Sequence, residues 1–117
     1  MQYFLMIYSK EGAWEKMSPT EQKQGLAAYH AFTEALKKSG VLIGSNRLRP
    51  ASSATTVRVA DGKSQVLDGP YADTKEQLGG YYLIDIADLD AALVWAGRCP
   101  GASHGIVEVR PVWSMAA

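Results

Sequence analysis

The chain has 117 residues, 12 basic and 12 acidic side chains, 47% apolar residues and one cysteine. That length bounds it to one domain, residues 1–117, large enough to bury a core of its own. Zero net charge with scattered Lys and Arg argues against nucleic acid as a partner, and no apolar run approaches membrane length.

The first predicted strand is Tyr3-Phe4-Leu5-Met6-Ile7-Tyr8, apolar on both faces and so requiring cover on both. A loop over residues 9–17 carries Lys10, Glu11, Gly12 and Trp14. Ser18-Pro19-Thr20-Glu21 is a helix start: a favoured N-cap, proline at the first position and Glu three residues on for a capping box. Tyr29, Phe32 and Leu36 then recur at helical spacing with Ala28 and Ala35 beside them, and Gly40 is placed to be a left-handed C-cap. Val41-Leu42-Ile43 opens a second strand toward Leu48. Residues 55–59 and 64–67 flank Asp61-Gly62, a hairpin signal. A further strand spans residues 80–86. Asp88 caps a helix running to Arg98, Pro100 stops it, and residues 106–113 form the last strand.

Strand, helix, strand, hairpin, strand, helix, strand is a ferredoxin-like α+β order with an antiparallel sheet and an inserted hairpin. Two helices cover one face of such a sheet. A second copy is the economical cover for the other, so a homodimer is expected. Cys99 excludes an internal disulfide and suits a reducing cytoplasm, where the chain is expected to reside; it reads either as a small residue near a helix end or as a reactive thiol.

Between the hairpin and the third long strand lies Asp68-Gly69-Pro70-Tyr71-Ala72-Asp73-Thr74-Lys75-Glu76-Gln77-Leu78-Gly79-Gly80-Tyr81-Tyr82. Asp, Gly and Pro make a turn, and the ionisable groups beyond it sit where binding residues tend to be found. This segment resembles the signature of the YCII-related domain family, DGPF type. So do Gly40 and its strand, Asp88-Leu89-Asp90-Ala91-Ala92, Arg98-Cys99-Pro100 and Val107-Glu108-Val109-Arg110-Pro111-Val112. Tyr71 stands where the family usually has Phe, and Asp73 where it usually has Glu.

The resemblance implies a dimeric α+β barrel, shared with muconolactone isomerases and small cofactor-free oxygenases. Many members are encoded beside sigma factors of the extracytoplasmic-function type. The wider YCII group is similar to enzymes with a His–Asp pair, the His lying on the first helix. His30 lies on that helix here, but its spacing to Gly40 departs by one residue, which is about 100° of helical turn.

Several residues carry candidate chemistry, each beside a plainer reading. His30 is a surface histidine, an acid–base group or a metal ligand; His104, expected in a Gly-rich loop, is the only other histidine, so no metal and no cofactor are expected. Asp68 either closes an Asx turn or sits at a pocket mouth as base or anchor. Thr74-Lys75-Glu76-Gln77 fits a capping box and a short helical turn; alternatively Lys75 holds an anionic substrate while Glu76 moves a proton. Glu108 and Arg110 share a strand face opposite Val107 and Val109, the face assigned to the dimer interior. There they form a salt bridge, or Arg110 clamps a carboxylate or phosphate. Trp14 is a lid or a dimer contact. Two functions follow: a cofactor-free enzyme or binder for a small organic molecule, with Asp68, His30 and Glu76 catalytic and Lys75, Glu108, Arg110 and Trp14 binding substrate; or a sensor or accessory factor linked to a sigma factor.

Overall fold

The computed structural model describes residues 1–115. Strand β1 (Gln2–Lys10) leads to helix α1 (Pro19–Lys38) and strand β2 (Leu42–Arg47). A short 3-10 turn precedes the hairpin strands β3 (Thr55–Ala60) and β4 (Lys63–Asp68), followed by β5 (Glu76–Asp85), α2 (Leu89–Arg98), α3 (Gly101–His104) and β6 (Ile106–Pro111). The main sheet is antiparallel in the order β2-β5-β1-β6, the ferredoxin-like arrangement, with β3 and β4 pairing apart from it.

Helix α1 begins as its sequence dictates. The Ser18 Oγ accepts from the Glu21 N–H at 3.1 Å, and the Glu21 carboxylate accepts from the Ser18 N–H at 2.9 Å. It ends in a Schellman turn: Gly40, at φ +72°, donates to the Lys37 carbonyl while Val41 donates to that of Leu36. Phe32 and Leu36 are buried, but Ala28 is exposed, so the core stripe is narrower than its spacing suggests. Asp88 caps α2 by accepting from the Ala91 N–H.

Strand alternation sorts the sheet into two faces. Tyr3 and Leu5 on β1, Tyr82 and Ile84 on β5, and Val107 and Val109 on β6 pack beneath Phe32, Leu36, Ala92 and Ala96 of the helices. The opposite face carries Phe4 stacked on Tyr81 at 4.9 Å, Met6, Leu83 and the Glu108–Arg110 pair, and no helix covers it.

Two expectations fail in the details. Thr74-Lys75-Glu76-Gln77 forms no helical turn: β5 already begins at Glu76, because Glu76 and Gln77 are drawn into register with Lys10 and Ser9 of β1. The Gly-rich segment around His104 is not a loop; after Pro100 the chain makes one more helical turn before β6. Gly105 allows that sharp re-entry, since a Cβ there would fall 2.2 Å from the Tyr8 carbonyl oxygen.

The hairpin turns at Asp61 and Gly62, both with positive φ, as a tight two-residue loop requires. Its apolar residues Val57, Val59, Val66 and Leu67 are 62–66% exposed. The whole molecule measures 49 × 48 × 18 Å with a radius of gyration of 16.3 Å. A packed chain of this length would have about 13 Å. The excess reflects a thin, open body from which the hairpin stands clear.

Candidate functional site

The principal concavity is an open cleft of about 890 Å³ on the helix side of the sheet. One wall is α1 with Tyr29, His30 and Thr33; the floor is the middle of β5 at Gly80 and Tyr82; Trp14 and Arg47 stand at its rim and His104 at its far end. The floor has room because of two glycines. Gly79 is the extra residue of a bulge opposite β1, between Ile7 paired with Gly80 and Tyr8 paired with Leu78. At Gly80 a Cβ would meet the Asn46 carbonyl oxygen at 3.0 Å, so glycine lets β2 close against β5.

Each wall is fixed by a specific contact. The Trp14 ring rests on Gly25, where a Cβ would come within 3.2 Å of it, and the Trp14 carbonyl accepts from the Gln22 side-chain amide at 2.9 Å. The Arg47 guanidinium lies 4.4 Å from the centroid of the same ring. Deeper in, the Thr33 hydroxyl donates to the Tyr29 carbonyl at 2.8 Å and lies 2.8 Å from the Tyr82 hydroxyl. A threonine hydroxyl has one proton. It is committed to the Tyr29 carbonyl, so Tyr82 is the donor in the second bond.

The Tyr29 hydroxyl has no hydrogen-bond partner among the described residues, and it abuts Gly101, where a Cβ would lie 2.8 Å away. Burial pushes its pKa well above the ordinary phenol value, making it a weaker acid, with Arg47 pulling the other way. It therefore remains a proton-bearing donor at neutral pH. Tyr82 is shifted in the same direction by burial. Burial likewise raises the Cys99 thiol, which closes the core behind the cleft and is 1% exposed, the setting of a packing residue rather than an accessible nucleophile. Among the described residues no three of His, Cys, Asp and Glu converge closely enough to hold a metal ion.

The candidate residues divide among three places. His30 and Trp14 line the cleft. Glu76 lines a shallower depression of about 510 Å³ that adjoins it and shares Arg49 and Gln77 with it. Lys75 is exposed at the entrance to β5, its carbonyl accepting from the Glu11 N–H. Asp68 ends β4 on the hairpin and lines neither cavity, although Ala54 and Pro70 beside it line the smaller one. Its turn is held by Gly69, at φ +103°, donating to the Ala54 carbonyl and accepting from Thr56, in place of an Asx bond through the carboxylate. Glu108 and Arg110 pair with each other on the uncovered sheet face, behind the cleft.

Sequence reading assigned Tyr29 to the core stripe and gave Thr33, Tyr82, Arg47 and His104 no role in a site. The available signals were a threonine four residues after Tyr29 on a helix, and a Gly-Gly pair inside a strand ahead of two tyrosines.

A family model for the YCII-related domain matches residues 1–116. The chain is 39% identical over 114 residues to an uncharacterised protein of Rhizobium meliloti (strain 1021), covering 96% of this chain and 92% of that one. Among solved structures it is similar to the 5-chloro-2-hydroxyhydroquinone dehydrochlorinase of Burkholderia phenoliruptrix AC1100, determined with 2,5-dihydroxybenzoquinone. There the TM-score is 0.57 at 14% identity, over 99% of this chain and 96% of the other, a likeness of dimeric α+β barrel fold.

Proposed function

The chain belongs to the YCII-related domain family, and from that premise we propose that it binds a small, flat organic molecule in the cleft between α1 and the sheet and moves a proton on it. The observation that carries this reading is the unpartnered Tyr29 hydroxyl, half-buried in an aromatic-walled cleft. Such a donor is suited to an oxygen on which negative charge develops.

His30 stands on the same wall, and its imidazole is a group able to take or give the proton. Tyr8, Trp14 and Tyr29 give the cleft an aromatic lining. The dehydrochlorinase of similar fold acts, by its name, on a chlorinated hydroquinone, which supports a hydroxylated ring as the ligand class. No feature of the site favours a sigma-factor accessory over this reading.

A second copy is part of the proposal. The uncovered sheet face and the exposed hairpin valines are surfaces that an isolated chain leaves to water, and a homodimer would bury them.

The test is deuterium exchange. Hydroxylated aromatic compounds, quinones and lactones are incubated with the protein in heavy water and their C–H signals followed by NMR. The reading expects catalysed exchange in at least one of them, lost in His30→Gln while binding persists. Binding without exchange in the wild type would leave a non-catalytic binder, and exchange unaltered in His30→Gln would remove the histidine from the chemistry.

A further inference from the structure

We propose that Arg47, posed by Trp14, anchors an anionic substituent, so that the cleft selects flat organic acids, aromatic carboxylates above all, over their uncharged analogues. The inference rests on the cleft being a small-molecule site, and it names which molecules that site prefers.

Arg47 is placed without the help of a carboxylate. Its guanidinium lies over a Trp14 ring that is itself pinned by Gly25 beneath and by the Gln22 amide on its carbonyl. Stacking uses the flat face of a guanidinium and leaves its edge N–H groups free, in the fork geometry that matches a carboxylate. Those groups make no ion pair or hydrogen bond to the described residues.

The charges around the cleft point the same way. The chain as a whole is neutral, yet Lys10, Arg47 and Arg49 all line this cleft and none is ion-paired among the described residues. Of the acids lining it, Glu21 is turned into the α1 capping box, which leaves Glu15 as the counterweight. An open cleft with this imbalance favours anions over neutral ligands. Arg47 and Tyr29 line the same cleft, and the Arg47 charge opposes the effect of burial on the Tyr29 phenol. A ring bound in this cleft would thus carry one substituent at the Tyr29 donor and a carboxylate at Arg47.

The test is calorimetric titration of the full chain with benzoate and salicylate, and with benzamide and salicylamide as uncharged counterparts. Wild-type protein is expected to bind the acids about tenfold more tightly than the amides, as a charge-assisted bidentate contact implies, with the preference shrinking as salt is raised. Arg47→Gln should bring acids and amides to within about twofold of each other while leaving amide affinity unchanged. Arg47→Lys, which keeps the charge and loses the fork, should fall between the two and serves as the second variant if Arg47→Gln does not fold. Lys10→Gln and Arg49→Gln, which remove charge but not the fork, should reduce the preference less than Arg47→Gln does.

Amides that bind as tightly as acids, or a preference that survives in Arg47→Gln, would overturn the inference and leave the cleft as a site for neutral rings. Failure of acids and amides alike to bind would overturn the inference, and loss of binding across the hydroxylated compounds as well would overturn the reading of the cleft beneath it.

Discussion

The hydroxyls of Thr33 and Tyr82 lie 2.8 Å apart, joining the middle of α1 to the middle of β5 at the inner end of the cleft. Because Thr33 already gives its proton to the Tyr29 carbonyl, this pair is a directed chain: Tyr82 to Thr33 to the helix backbone. It fixes the distance between the cleft wall and its floor.

Breaking that chain should cost stability in a non-additive way. Thr33→Val removes the acceptor from a half-buried phenol and should cost about 1–3 kcal/mol, whereas Tyr82→Phe removes the donor and should cost about 0.5–1.5 kcal/mol. The double variant is expected to be milder than the sum by about 0.5–1.5 kcal/mol, because each change deletes the same bond. Urea unfolding of the four proteins measures it. Strict additivity would mean that the bond is absent in solution.

Tyr29 gives a pH dependence whose sign is fixed by its surroundings. Its phenol holds its proton more tightly in the folded chain than in the unfolded one. Above the unfolded value of about 10, the unfolded chain has released this proton while the folded one retains it, so stability falls as pH rises. Tyr82 adds to the fall in the same sense. Tyr29→Phe should flatten the alkaline limb of a stability–pH curve and leave the neutral region unchanged in shape. An identical alkaline slope in the variant would contradict the burial of this hydroxyl.

Much of the fold was legible because local chemistry and tertiary packing agree. Ser18 and Glu21 cap α1, Gly40 ends it in a left-handed turn, and Asp61-Gly62 turns the hairpin, each through contacts between near neighbours in sequence. The capping pattern at Thr74 to Gln77 misled because pairing with β1, more than sixty residues away in sequence, overrides local preference. The face carrying Glu108 and Arg110 was legible from strand alternation, but the cleft opens on the other face. Tyr29 looked like core because its ring is half-buried; its unpartnered hydroxyl shows only once Gly101 and β5 are brought beside it. Arg47 was invisible in sequence because its partner, Trp14, sits on a different loop.

Glycine 101 should be intolerant of the smallest side chain. A Cβ at Gly101 would come within 2.7 Å of the Ile7 side chain and 2.8 Å of the Tyr29 hydroxyl, so Gly101→Ala crowds both. It is expected to cost about 1–3 kcal/mol and to displace the Tyr29 donor, weakening ligand binding. Gly97→Ala on the exposed side of helix α2, where nothing lies within 4 Å, should instead stabilise by about 0.5–1 kcal/mol. Thermal melts of both variants decide this, and equal effects would contradict the packing at Gly101.

The hairpin valines should report on self-association. Light scattering at micromolar protein is expected to give twice the 12.7 kDa chain mass. Val57→Asp with Val66→Asp, which places facing charges on the exposed hairpin, should shift the protein toward the single-chain mass. A single-chain mass for the wild type would remove the homodimer from the account.

The most direct test of the central claim is a map of backbone and indole chemical-shift changes on titrating the protein with a hydroxylated aromatic ligand. The account predicts changes concentrated at Trp14, Tyr29, Thr33, Arg47 and Gly80, around the cleft between α1 and the sheet. Changes centred on Phe4, Met6, Glu108 and Arg110 would place the ligand on the opposite face and contradict it.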